Sequence, residues 1–331
     1  MNMMKENGYR EKIASYARSA MDRFGEARRE EVVVTVPYLK HENSFSEARR
    51  EEVVLMVNES ISDEIRGASR EELETMRGDL DKEPFITSAE AHELFMCDAE
   101  DEGVALVDTK AIVGTVSGAF KNWGDEYQSR KGQVVDVAES LISGSDGDVE
   151  RVFHMNSPTG GVKLRKISGP SGDLFFCIDG THRTASAKLV NLGEMPARVE
   201  NATNPESVST SDKYVKREWE DRIKRGLIKG RIEKDEYAEG HDSYSLIIES
   251  QVLPWMVLSR HGMKKMTRVY LEKYPGSLDD LTTLDGEKIP PEALVDEIAM
   301  NFFIAGEWDE YTRRQEEKKL REARANAKSV V

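Results

Sequence analysis

Residues 179–183 place several side chains suited to phosphate chemistry in one short turn. The segment reads Asp-Gly-Thr-His-Arg and directly follows a hydrophobic run. A glycine at a strand-to-helix turn lets backbone N–H groups face an anion, and the start of the helix adds partial positive charge. Arg183 adds a guanidinium that can bind two phosphate oxygens at once. This turn is the strongest candidate for a phosphate-binding site in the sequence.

The residues of the turn divide into catalytic and binding candidates. Asp179 and His182 are the candidates for proton transfer. Asp179 can alternatively cap the turn, and His182 can alternatively donate one structural hydrogen bond. A further carboxylate, Asp125 or Glu126, is a candidate to complete the site. The predicted phosphate- or nucleotide-binding residues are Gly180, Thr181, His182, Arg183 and Thr184.

A second pattern overlaps the same turn. Cys177, Gly180, Arg183 and Thr184 match Cys-x-x-Gly-x-x-Arg-Ser/Thr, the loop of cysteine-dependent phosphatases. In such a loop a low-pKa thiolate attacks phosphorus while the arginine holds the oxygens. Phe176 stands where a histidine normally precedes that cysteine. A phosphatase with Cys177 as nucleophile is therefore the alternative function, and a buried strand residue is the other interpretation of Cys177.

The elements around the turn form a compact α/β unit. A hairpin turn at 168–172 connects two apolar runs, and Gly193 ends the helix that follows the second run. The predicted strands are 104–107, 162–167, 173–178 and 197–200. The predicted helices of this unit are 134–142 and 181–192.

This order of elements, together with its motif residues, resembles the core of the ParB/sulfiredoxin superfamily. In that family a strand ends in a glycine-centred turn with a basic pair, and an alanine-rich helix, a Leu-Gly turn and a proline-opened strand follow. The matching residues are Asp179, Gly180, His182, Arg183, Ala185, Ala187, Leu192, Gly193, Pro196 and Val199. The resemblance covers 162–200, reaches back to about 104, and is to the Asp-Gly-x-His-Arg branch.

The resemblance implies that the turn holds the phosphates of a nucleotide of the ATP or CTP class, with Mg²⁺. It also implies phosphotransfer or nucleotide hydrolysis and a DNA-related role. Thr181 stands where sulfiredoxins have their reactive cysteine, which argues against sulfinic-acid reduction. Ala185 stands where the segregation CTPases have a further arginine, which argues against CTP switching.

The composition describes a strongly acidic protein. The 331 residues carry a net charge of −15, and 38% of them are hydrophobic. Neither a membrane span nor an apolar signal-peptide core is recognisable, so we expect a cytoplasmic protein with no membrane partner. Cys97 and Cys177 are too few for a disulfide framework, and the six histidines form no metal-binding pattern. We therefore expect no resident metal.

The flanking regions are predicted to be mostly helical, which gives an α+β fold in three parts. Residues 1–103 form an acidic accessory region, 104–205 the ParB/sulfiredoxin-like mixed α/β domain, and 206–331 a helical C-terminal region. The first 110 residues hold 26 acidic and 15 basic side chains, a net charge of −11, so they are a poor surface for nucleic acid.

A near-repeat lies in the acidic region. Ten-residue segments beginning at Phe24 and Phe45 share the pattern Phe-x-Glu-Ala-Arg-Arg-Glu-Glu-Val-Val. Good helix formers before a β-branched pair predict either a helical turn that leads into a strand or a short charged helix.

Two basic stretches in the C-terminal region, 213–234 and 311–328, are candidates for local DNA contacts. Solvated helix faces are the alternative interpretation. No helix-turn-helix pattern follows the core, so the sequence does not support base-specific recognition. A non-catalytic scaffold or partner-binding protein is the third class of function, and the sequence leaves the oligomeric state open.

Overall fold

Runs of helices at both ends of the chain flank open sheets of mixed or antiparallel strands, so the fold is α+β. A computed structural model of the protein describes residues 47–95, 99–116, 120–155, 161–201, 206–235 and 242–329. These residues belong to one compact unit, 38–331. The strands are β1 (Glu100–Asp108), β2 (Ile112–Thr115), β3 (Lys163–Gly169), β4 (Gly172–Asp179), β5 (Glu194–Asn201), β6 (Ser207–Thr210), β7 (Ile228–Asp235) and β8 (Ser243–Gln251).

Fourteen α-helices lie in the described ranges, and two short 3₁₀ helices span Thr109–Ala111 and Pro254–Val257. The first eight α-helices are α1 (Glu47–Ser60), α2 (Asp63–Arg66), α3 (Arg70–Thr75), α4 (Arg77–Leu80), α5 (His92–Phe95), α6 (Trp123–Ser129), α7 (Lys131–Ile142) and α8 (Asp146–Val152). The other six are α9 (Thr181–Leu189), α10 (Lys213–Lys224), α11 (Arg260–Lys273), α12 (Pro291–Val295), α13 (Glu297–Ala305) and α14 (Trp308–Ser329). None of these described helices is apolar over a bilayer-spanning length.

A five-stranded mixed sheet in the order β1-β5-β3-β4-β2 positions the predicted turn. The β3–β4 pair is an antiparallel hairpin, whereas β2 runs parallel to β4 and β3 runs parallel to β5. Strands β2 and β4 therefore end at the same edge, and the turn follows the end of β4. A second, antiparallel sheet has the order β6-β8-β7.

Both faces of the five-stranded sheet are apolar, because alternate residues of β3 and β4 point into two different cores. Leu164 and Cys177 face a core that contains the buried residues of α1 and α6–α9. Ile167 and Phe176 face a second core that the C-terminal region builds around Trp219 and other large side chains. Period-two alternation of buried side chains is the normal consequence of strand geometry.

Two tyrosines of α11 hold the β3–β4 hairpin against the second core. The hydroxyl of Tyr270 accepts a hydrogen bond from the Ser171 amide at 2.8 Å, and the hydroxyl of Tyr274 donates one to the Asp173 carbonyl at 3.1 Å. A Cβ atom at Gly169 would overlap the Tyr270 ring. The hairpin turn therefore requires a residue without a side chain at this position.

The four strands and two helices predicted around the turn are confirmed, with ends shifted by a few residues. The second copy of the near-repeat forms helix α1, whereas the first copy and Cys97 lie outside the described residues. The predicted C-terminal helices are present, but the sequence prediction missed strands β6–β8. The apolar signal of β6 is weak because it has four residues and only Val208 is buried, and that of β7 is weak because five of its eight residues are charged. The boundaries at 103/104 and 205/206 stay predictions.

Candidate functional site

Gly180 makes the abrupt change from strand β4 to helix α9. Its φ of 80° and ψ of 30° lie in the left-handed region, which glycine occupies without steric cost. A Cβ at this position would lie 3.0 Å from Cγ2 of Val162 and 3.3 Å from the carbonyl oxygen of Gly161. The chain just before β3 thus packs directly over the turn. The first turn of α9 offers amides at His182 and Arg183 for which a helix supplies no internal acceptor.

Asp179 is exposed at the mouth of the turn. One of its carboxylate oxygens accepts a hydrogen bond from the Gly180 amide at 2.7 Å. This is the capping role that the sequence allowed. The second carboxylate oxygen of Asp179 points to no partner among the described contacts, so the same residue can still contact a ligand.

Arg183 is held beside the turn by the segment that precedes β3. Its guanidinium donates to the carbonyl of Gly161 at 3.1 Å and lies 3.0 Å from Nε2 of His154. These contacts occupy two of the five N–H groups of the guanidinium. Among the described residues, Arg183 makes no other side-chain hydrogen bond, so its remaining N–H groups can donate to phosphate oxygens at the first turn of α9.

His182 and two residues that the sequence did not single out complete a cationic cluster. Burial lowers the pKa of His182, and the charges of Arg183 and Arg130 lower it further, while Asp179 opposes them. Burial and Arg183 likewise lower the pKa of His154. We refer to His154, His182, Arg183 and Arg130 as the cationic cluster. The two arginines carry the permanent positive charge of this cluster, and the two imidazoles, whose pKa values are lowered, are hydrogen-bonding groups that become positive only when they are protonated.

Glu126 is the carboxylate that the fold brings to this cluster. It is 1% exposed, its Oε1 lies 3.9 Å from Nε of Arg130, and its Oε2 has no hydrogen-bond partner. Burial raises the pKa of Glu126 and Arg130 opposes the rise, while Glu126 in turn raises the pKa of Cys177. Asp125, the other carboxylate candidate, instead accepts a hydrogen bond from the Lys121 amide at 2.9 Å.

The hydroxyls of Thr181 and Thr184 point into the protein. The Thr181 hydroxyl lies 3.3 Å from that of Thr115, and the Thr184 hydroxyl lies 3.3 Å from the Gly180 carbonyl and 3.4 Å from the sulfur of Cys177. Both threonines are buried. They stabilise the turn from beneath, so their side chains do not present the phosphate ligands that the motif predicts.

Cys177 lies beneath the turn as a buried thiol. Its sulfur has no exposed surface and donates to the carbonyl of Asp179 at 3.1 Å. Burial raises the pKa of this thiol to about 12, although its hydrogen-bonding contacts with the hydroxyls of Thr184 and Thr181 oppose the rise. A phosphatase nucleophile needs a low pKa and an accessible sulfur. The environment of Cys177 therefore favours the buried strand residue over the nucleophile.

The protein itself does not build a metal cage around the turn. Within the described ranges, no three His, Cys, Asp or Glu side chains are grouped so that they could hold a metal ion. Mg²⁺ is commonly held by one or two carboxylates together with nucleotide phosphates. Asp179 has the exposure and the donor type that such a nucleotide-borne ion requires.

The chain matches no protein-family model, and no match to it was found among curated proteins or solved structures. Any function must therefore be inferred from the site itself, which combines a left-handed glycine turn, a helix start, the cationic cluster and a buried carboxylate.

Proposed function

We propose that this protein binds a nucleotide of the ATP or CTP class through its phosphate groups at the Gly180–Arg183 turn. The observation that carries the proposal is the cationic cluster around the first turn of α9. The first-turn amides of α9, the guanidinium groups of Arg183 and Arg130 and the imidazoles of His182 and His154 lie in the neighbourhood of this helix start, and together they favour an anion. The order of strand, hairpin, strand, turn, helix and strand supports the proposed ParB/sulfiredoxin-like character of residues 104–205.

We also propose that the bound nucleotide undergoes phosphotransfer or hydrolysis, with Glu126 as the proton acceptor. An attacking hydroxyl, from water or an alcohol, gives its proton to Glu126 while its oxygen forms a bond to the terminal phosphorus. The bond to the bridging oxygen breaks, and the nucleotide diphosphate leaves with that electron pair. A carboxylate with a raised pKa is a stronger base than an ordinary one, which suits proton transfer near neutral pH.

The other residues of the site bind the phosphate groups or orient Glu126. Arg183 and the amides of α9 hold the phosphate oxygens, and His182 can donate a hydrogen bond to them. Mg²⁺ bound with the nucleotide would neutralise part of the phosphate charge, and Asp179 would hold it. Arg130 keeps Glu126 oriented through their 3.9 Å ion pair.

The test is calorimetric titration of the full chain with ATP, ADP, CTP and GTP in the presence of Mg²⁺, with phosphate release measured in parallel. Arg183→Ala removes charge-assisted hydrogen bonds of about 1.5–3 kcal/mol, so affinity should fall roughly 10- to 150-fold. Arg313→Ala, on the exposed helix α14, is the matched control and should bind as wild type does. Absence of nucleotide binding by the wild type, or unchanged binding by Arg183→Ala, would refute the proposal.

The same assays distinguish the proposed function from its two alternatives, a scaffold and a phosphatase. Nucleotide binding without turnover, unaffected by Glu126→Gln, would indicate a nucleotide-dependent scaffold. Activity on a generic aryl phosphate that Cys177→Ser abolishes would restore the phosphatase, against the burial of that thiol.

We propose DNA as a second partner, through helix α14. Its side chains are mostly exposed, and residues 311–329 contain seven lysines and arginines but three glutamates. Both stretches contain ion-paired cations, but 213–234 is the weaker candidate because its Arg222 is fully buried. Double substitution of Lys318 and Lys319 by glutamate should abolish a salt-sensitive DNA shift. A shift of equal strength in that variant would exclude α14 as the DNA-binding surface.

A further inference from the structure

The contact between Arg183 and His154 fixes the protonation state of the histidine. Nη2 of Arg183 lies 3.0 Å from Nε2 of His154. A guanidinium stays protonated and can only donate hydrogen bonds. Nε2 of His154 is therefore the acceptor, and the ring is neutral with its proton on Nδ1.

His154 and Gly161 both accept hydrogen bonds from Arg183 beside the turn. Arg183 donates to Nε2 of His154 and to the carbonyl of Gly161. The backbone of His154 has a φ of 47°, a left-handed conformation that costs a residue other than glycine about 1–2 kcal/mol. The fold thus maintains a costly conformation that places this imidazole against Arg183.

The charges that face His154 come from two elements. Arg183 and His182 face it from α9, and Asp179 faces it from the end of β4. Partial burial and Arg183 lower the pKa of His154, and Asp179 opposes them. A phosphate bound at the turn adds negative charge next to both imidazoles and so reverses the balance in favour of their protonated forms.

We propose that His154 is a positioning residue of the phosphate site whose role depends on its proton. As a neutral ring it accepts from Arg183 and holds the guanidinium beside the turn. As an imidazolium it cannot accept, so it releases Arg183 and donates to the bound anion together with it. The inference rests on the proposed function, since the bound phosphate is what favours the second state.

This arrangement couples anion binding to proton uptake. For each proton that binding takes up, the affinity rises about tenfold per unit fall in pH, by thermodynamic linkage. Sulfate is the appropriate probe, because it is a tetrahedral dianion whose own charge is constant between pH 5.5 and 8.5. We expect the affinity of the wild type for sulfate to rise as the pH falls from 8 to 6.

His154→Gln isolates the role of the proton. The glutamine side-chain oxygen can accept from Arg183 but does not titrate, so the slope of the affinity against pH, and not the affinity at one pH, is the readout. The number of protons taken up on binding, measured as the slope of log affinity against pH, should fall by up to one. We assign any slope that remains to His182. His261→Gln, which replaces an exposed histidine on α11, is the control and should keep the wild-type slope. An unchanged slope in His154→Gln would overturn the inference.

A titration of the imidazole nitrogens by NMR tests the pair without any ligand. We expect an unprotonated Nε2 in the free wild-type protein, and a His154 pKa that is higher in Arg183→Ala than in the wild type, because one of the two causes that lower it is removed. A protonated Nε2 tautomer, or a pKa that ignores Arg183→Ala, contradicts the inference. If the wild type binds neither sulfate nor nucleotide, the phosphate site and the inference both fail. If the wild type binds sulfate and its affinity depends on pH as steeply as that of His154→Gln, only the inference fails.

Discussion

Replacing Gly180 by alanine tests whether the turn geometry positions the site. The substitution introduces two costs, of which the first is the left-handed conformation, about 1–2 kcal/mol for a residue with a Cβ. The second is crowding, because the new Cβ would lie 3.0 Å from Cγ2 and 3.1 Å from Cα of Val162. Forced contacts of this kind typically cost about 1–3 kcal/mol. The expected total loss of folding free energy is therefore roughly 2–5 kcal/mol.

Gly286→Ala separates these two costs. Gly286 has nearly the same φ, 85°, but a Cβ there would meet no atom within 4 Å. Both variants share the backbone strain and the change in unfolded-state entropy, so their difference measures the crowding at Val162. At about 2–4 °C per kcal/mol, Gly180→Ala should melt roughly 3–10 °C below Gly286→Ala in a thermal unfolding experiment.

The same pair of variants should differ in nucleotide affinity. Relief of the crowding moves the segment 161–162 away from the turn, and this segment supplies the Gly161 carbonyl that holds Arg183. Gly180→Ala should therefore bind nucleotide more weakly by about tenfold or more, the loss expected from one charge-assisted hydrogen bond, while Gly286→Ala binds as wild type does. Equal melting temperatures for the two variants would refute the packing argument.

Three further predictions follow from buried groups. Because its pKa is about 12, Cys177 should resist alkylation in the native protein at pH 8 and react after unfolding. Mass spectrometry would map the labelled residue, and fast labelling of the native protein would contradict the burial of this thiol. Folded Glu126 has a raised pKa and binds its proton more tightly than the unfolded chain does, so wild-type stability should fall as pH rises through the interval between the two pKa values. Glu126→Gln should lose that part of the pH dependence, measured as melting temperatures at pH 5 and pH 8, and an identical pH profile would rule out the assignment. Gly169→Ala should destabilise the fold, because the new Cβ overlaps the Tyr270 ring. Gly132→Ala lies in an open position of α7 and should be neutral or stabilising by up to about 1 kcal/mol. Denaturant titrations measure both effects.

The turn and its neighbouring strands could be predicted because their signals are local. Apolar alternation defines β3 and β4, and a glycine between a strand and a helix-forming segment indicates the change of direction. Glu126 could be proposed only as one of two carboxylates, because sequence does not show which side of α6 faces the turn. In the structure Glu126 is buried beside Arg130, whereas Asp125 accepts a hydrogen bond from the Lys121 amide, and the role of either carboxylate stays a proposal.

The partners of Arg183 could not be predicted in this way. His154 lies 29 residues before Arg183, and their contact depends on how the segment before β3 crosses the turn. For Thr181 and Thr184 the motif spacing predicted phosphate ligands, whereas the start of the helix buries both side chains. Sequence patterns identify residue types near a phosphate, whereas tertiary packing decides which of them face it.

The five-stranded sheet is apolar on both faces. This limits whether residues 104–205 can be expressed alone or transferred to another protein by recombination. Ile167, Leu174 and Phe176 are buried under side chains that come from beyond residue 205. A fragment trimmed to 104–205 would expose this face as a continuous apolar patch, and such patches promote self-association. We expect that fragment to aggregate on expression. Recombination could transplant the phosphate turn into another protein only together with the C-terminal cover, or with a new cover of matching shape.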